Sequence, residues 1–114
     1  MLIYATRTLD CASKTRIHYR MPEPLCERIL DIFPEAEVVV NRFSKRVAGA
    51  RDHFVLSRTG GYHIAGILGD VRIVATFGKT ARDGDACEHT IARFESALCS
   101  ERFGQVVQRV RTAR

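Results

Sequence analysis

The chain reads as an α+β domain: an antiparallel sheet of four to six strands with two or three helices on one face. Three observations predict this. Residues 62–77 read as two strands paired around Gly69-Asp70, with one dry face and one mixed face of His63, Ala65, Ile67, Arg72, Val74 and Thr76. Residues 15–21 alternate strictly, with Thr15, Ile17, Tyr19 and Met21 against Arg16, His18 and Arg20. Residues 85–98 instead place Cys87, Ile91, Phe94 and Leu98 at helical spacing.

Taken in order, residues 2–8 form a candidate strand and residues 15–21 a half-buried one with a basic outer face. Pro22 and Pro24 end it and open a helix, whose buried stripe is Cys26, Ile29, Leu30 and Phe33 and which Pro34 stops. Residues 36–44 form a β-branched strand around Val38, Val39 and Val40. A loop over 45–52 carries Lys45, Arg46 and Arg51. Residues 53–58 form the next strand. A three-residue connection at 59–61 sets Leu56 against Ile64 and Phe54 against Gly66, which keeps the apolar side chains together.

The hairpin at Gly69-Asp70 pairs Leu68 with Val71, Gly66 with Ile73, Ile64 with Ala75 and Tyr62 with Phe77. All eight fall on one dry face, because side chains alternate along a strand. Asp85 and Glu88 resemble a capping box at the start of the next helix. Ser100 then caps a final helix with Phe103, Val106, Val107 and Val110 on its stripe and Arg102, Arg109, Arg111 and Arg114 outside it. The predicted order is β-β-α-β-β-β-β-α-α, in a single domain over 1–114, with helices covering the dry face.

Composition narrows the function classes. Hydrophobic residues at 46% and charged residues at 27% suit a globular domain rather than a disordered one. The net charge of +5 favours an anionic partner. The cysteines at 11, 26, 87 and 99 contain no C-x-x-C, so a zinc-knuckle or thioredoxin-like site is not expected. Two of these thiols are expected to fill the core. No secretory signal or membrane-length apolar run is read, and the expected setting is the cytoplasm.

Catalytic motifs are not found. Gly78-Lys79-Thr80 lacks the upstream glycine of a phosphate loop, because Ile73 stands there. His18, His53 and His63 are expected on the open side of the sheet. The hairpin register separates His53 from His63 by roughly 13 Å, too far to share a metal. Cys87 and His89, two apart on a helix, point away from one another. No cofactor, metal site or catalytic residue is assigned.

The basic groups are the remaining lead. Arg16, Arg20, Lys45, Arg46, Arg51 and Arg72 are the candidate binding residues, forming one electropositive surface if strand 15–21 joins the sheet. Tyr19, Phe54, Tyr62 and Phe77 face inward on this reading, so backbone or shape recognition is favoured over base stacking. The leading expectation is a non-catalytic module that contacts RNA, DNA or a nucleoprotein. One alternative is a protein-interaction or inhibitor module, homodimeric through the sheet face. Another is a small enzyme using His18 or His63.

Overall fold

The computed structural model describes residues 1–9, 14–59, 61–78 and 84–112, with the side chains of Leu9, Lys14, 84–87 and 109–112 left aside. The strands are β1 (Leu2–Leu9), β2 (Lys14–Arg20), β3 (Glu37–Asn41), β4 (His53–Arg58), β5 (Tyr62–Ile67), β6 (Arg72–Gly78) and β7 (Gln105–Thr112). One helix, α1 (Gly84–Ser100), lies between β6 and β7. The strands form a single seven-stranded sheet in the order β3-β4-β5-β6-β2-β1-β7. All neighbours are antiparallel except β1 and β7, which are parallel. The architecture is thus α+β, with a mixed and mostly antiparallel open sheet.

The central register follows from keeping the apolar side chains together. Tyr62 pairs with Phe77, Ile64 with Ala75 and Gly66 with Ile73. Leu56 pairs with Ile64, and Phe54 with Gly66. Strand β2 extends the same face, setting Tyr19 beside Ile73, Ile17 beside Ala75 and Thr15 beside Phe77. These residues are all buried apart from Gly66, which lies under the Phe54 ring. The dry face is then closed by Ile91, Phe94 and Leu98 from α1 and by Leu25, Ile29, Ile32 and Phe33. Phe94 anchors this layer, with ring centroids 5.3 Å from Tyr19, 5.6 Å from Phe33 and 6.3 Å from Phe77.

Several expectations need correction. Among the described residues the sheet has seven strands rather than four to six, and one α-helix stands in place of two or three. The first expected helix is only a 3-10 turn, Glu27–Asp31. Just nine residues separate Pro24 from Pro34. The first of them, Leu25, is held in exchange with the β5–β6 turn, its N–H donating to Asp70 O (2.8 Å) and its carbonyl accepting from Gly69 N–H (2.9 Å). Cys26 is consequently extended and exposed, not part of a buried stripe, although Ile29 and Phe33 still reach the core.

The expected last helix is strand β7. Ser100 ends α1 instead of capping a new helix, its hydroxyl donating back to Ser96 O (2.7 Å). Arg102 (φ 62°) and Gly104 (φ 146°) then reverse the chain. The valines that follow suit a strand, and β1 presents an unpaired edge to receive them, beginning at Gln105 N–H to Met1 O (3.0 Å). Because β6 and β7 run the same way, they need a crossover, and α1 supplies it across the dry face.

The turn after β5 is wider than a two-residue loop. Asp70 N–H donates to Ile67 O (3.1 Å), and Leu68 and Val71 lie outside the ladder. Leu68 N–H donates instead to Asp52 O (2.9 Å), and Met21 N–H to Val71 O (2.6 Å). Cys11, Gly60, Lys79, Thr80 and Asp83 lie outside the described residues, as do the side chains of Asp85, Cys87, Arg109, Val110, Arg111 and Arg114.

Candidate functional site

Alternation in the strands defines the second face of the sheet residue by residue. The row through its middle runs Val39, Val55, Ala65, Val74, His18 and Thr6. One flanking row holds Glu37, Ser57, His63, Thr76, Arg16 and Thr8. The other holds Asn41, His53 and Ile67 on one side, and Arg72, Arg20, Tyr4 and Val107 on the other. Both layers that close the core sit on the opposite face, so this one carries no helix among the described residues.

Arg16, Arg20 and Arg72 are therefore brought to one surface, as the strand alternation predicts, and all three are exposed. Arg20 and Arg72 are direct cross-strand partners. Opposed residues in an antiparallel pair lie about 4.5–5.5 Å apart at Cα, close enough for two cations to repel. Neither makes an ion pair with a described acid. Arg16 lies four residues along β2 from Arg20, roughly 13 Å. A shallow concavity of about 500 Å³ is lined by Tyr4, Thr6, His18, Arg20, Arg72 and Val74.

The loop cations divide. Lys45 closes a second 3-10 turn, Phe43–Lys45, and Arg46 follows it; both are exposed and outside the ion pairs of the described chain. Arg51 turns toward Asp70, with N and O 3.8 Å apart, so part of its charge is already answered. The loop is pinned by Asp52, which accepts from Ser44 N–H (3.1 Å), Ser44 Oγ (2.7 Å) and Arg42 (3.2 Å). The Ser44 hydrogen bonds hold its carboxyl below the usual aspartate range, with Arg42 adding to the effect.

Charge is balanced differently on the two sides. On the open face the acidic residue among those described is Glu37, on the far edge strand. On the helix side, Glu88 pairs with Arg7, and Glu35 with Arg93, whose guanidinium also covers the Phe33 ring at 4.4 Å. Glu95 is half-buried there, accepting from Tyr19 Oη (3.1 Å) and Gln108 Nε2 (2.7 Å). Burial raises its carboxyl above the ordinary range in spite of these donors.

The three histidines also emerge on the open face, exposed, and His53 and His63 are separated as expected. No group of histidine, cysteine or acidic side chains among the described residues could hold a metal ion. No described helix is long and apolar enough to cross a membrane.

Two aromatic rings on this face were not identified by the sequence reading. Tyr4 is 43% exposed beside Arg20, and Phe43 is 42% exposed, meeting the His53 ring edge-on at 5.3 Å. The face of Tyr4 could not be read because residues 2–5 are apolar on both sides. Only the burial of Ile3 and Ala5 decides it. Comparison with known proteins leaves the site to its own chemistry: no family model, curated protein or solved structure matches this chain.

Proposed function

We propose that the open sheet face is a non-catalytic binding surface for the phosphate backbone of a nucleic acid. The observation that carries it is the Arg20–Arg72 pair, two exposed arginines in direct cross-strand register with no ion pair to an acid among the described residues. Unanswered like charges opposed across a strand pair cost stability, and a bound anion would turn that cost into binding energy. Arg16 and His18 lengthen the basic track along β2, and Lys45 and Arg46 stand at one end of the sheet. Tyr4 and Phe43 offer two planar surfaces at the margin of the track, enough for an occasional stacked base but not a continuous platform.

On this reading the affinity is mostly electrostatic and weakly dependent on sequence. The test is fluorescence anisotropy with a labelled RNA and a labelled DNA of unrelated sequences, over a salt series. About three to five phosphate contacts give a log–log salt slope of about −3 to −4.5 on duplex. The triple variant R16E/R20E/R72E should lose binding by a hundredfold or more while keeping its circular dichroism spectrum. Equal binding by that variant, or none by the parent protein at low salt, would sink the proposal.

A further inference from the structure

We infer that the β3 edge is an interface for a second copy of this chain, joining two sheets into one across a two-fold axis. Among the described residues, strand β3 is the outermost strand on its side and pairs with β4 alone. Its sequence, Glu-Val-Val-Val-Asn, contains no lysine or proline, two of the devices that discourage an edge from pairing. Val38 is 42% exposed toward the helix side and Val39 is 45% exposed on the open face.

Charge selects both the occupant and the register. An antiparallel strand pairing with its own copy is two-fold by construction. Centred on Val39, it sets Val39 opposite Val39, Val38 opposite Val40 and Glu37 opposite Asn41. All five residues then pair, and no like charges oppose one another. The same axis carries Glu37, at the start of one β3, to the basic end of the other, where Lys45 and Arg46 follow the strand. Glu37, Lys45 and Arg46 have no ion pair among the described residues, so these three are free to answer one another across the axis, whereas Glu35 and Arg42 are already paired within the chain. The interface leaves the basic face uncovered and does not depend on the nucleic-acid proposal.

Sedimentation velocity without nucleic acid, over a wide range of protein concentration, should show a reversible monomer–dimer equilibrium. V39K places two lysines face to face at the axis and should weaken the dimer about tenfold or more. It should leave the melting temperature of the monomer nearly unchanged, because the residue is exposed. Register is read by cross-linking in a background with every native cysteine replaced by serine. V39C should oxidise to a disulfide-linked dimer, whereas V38C, whose opposite residue is Val40, should not. Persistently monomeric protein, a dimer indifferent to V39K, or equal cross-linking at 38 and 39 would each overturn the inference. So would a dimer abolished by R72E but not by V39K, since that outcome points to the sheet face.

Discussion

At the scale of single residues, the fold depends on a few close fits. Gly66 is the clearest: a Cβ added there would lie 2.7 Å from Phe54 Cζ and 3.3 Å from the carbonyl oxygen of Arg72. The ring is 1% exposed and walled in, so it cannot swing away. Gly66→Ala should therefore destabilise by about 1–3 kcal/mol, measured by urea unfolding. Phe54→Leu in the same chain should recover part of the loss, because the two changes share one space. Glu95 gives a pH-dependent case. Its native carboxyl titrates above the ordinary glutamate range because burial disfavours the anion. The native state then binds the proton more tightly than the unfolded one. Its contribution to stability is fully present below the unfolded value and is lost as pH rises through the native one. Glu95→Gln should thus gain stability relative to the parent protein as pH rises above the unfolded glutamate value of about 4.3, as read from melting curves. Asp52 has the opposite sign, since its native value is lowered: its contribution is present above the unfolded value and fades as pH falls through the native one.

At the scale of elements, the β2–β6 ladder would, on the proposed reading, set binding against stability. Its dry side pairs Tyr19 with Ile73 and Ile17 with Ala75, while its open side ends in Arg20 against Arg72. Replacing one arginine by an acid converts repulsion into attraction. Arg72→Glu should raise stability by about 0.2–1 kcal/mol in low salt. On the proposed reading it should also weaken nucleic-acid binding and make the salt slope shallower by about one contact. A variant that is both less stable and equally competent to bind would contradict that picture. The link from α1 to β7 is a second dependence between elements. Gly104 adopts φ 146°, and a Cβ there would meet Ile3 Cγ1 at 3.0 Å and Met1 O at 3.1 Å. Gly104→Ala should lower the melting temperature by several degrees and speed amide exchange first in β1 and β7, whose pairing begins beside it.

At the scale of the whole molecule, the two sides balance charge differently. Beside the helix, Glu88 and Glu35 are answered by Arg7 and Arg93, while on the exposed sheet Arg16, Arg20 and Arg72 have no ion pair with a described acid. The molecule measures about 45 × 30 × 30 Å. A duplex rises about 3.4 Å per base pair, so a 30 Å width corresponds to about nine. On the proposed reading, affinity for duplexes of increasing length should climb steeply up to about one helical turn and then level off, apart from a statistical gain. Calorimetric titration with duplexes of 6, 9, 12 and 18 base pairs would check this, and a rise continuing at the same rate beyond that length would argue for a different footprint.

The centre of this protein was legible in its residues. From Phe54 to Phe77 the strand register, the dry face, the glycine under the ring and the separation of His53 from His63 could be read in advance, but not the wider turn that leaves Leu68 and Val71 outside the ladder. Those contacts join neighbouring strands through short turns, and period-two alternation allows only one dry pairing. The same alternation placed Arg16, Arg20 and Arg72 on the outward side. The two ends of the sheet were decided by tertiary structure. Residues 103–110 fit a helical stripe and a strand about equally well. The open edge of β1 and the chain reversal at Arg102 and Gly104 chose the strand. Leu25 was drawn out of a helix by backbone hydrogen bonds to a turn more than forty residues away. Tyr4 took its face from the burial of Ile3 and Ala5. Even the opposition of Arg20 and Arg72, the pair on which the functional reading rests, required the long-range choice of β6 as the neighbour of β2. Local periodicity states which side of an element is dry, but not which element will lie beside it.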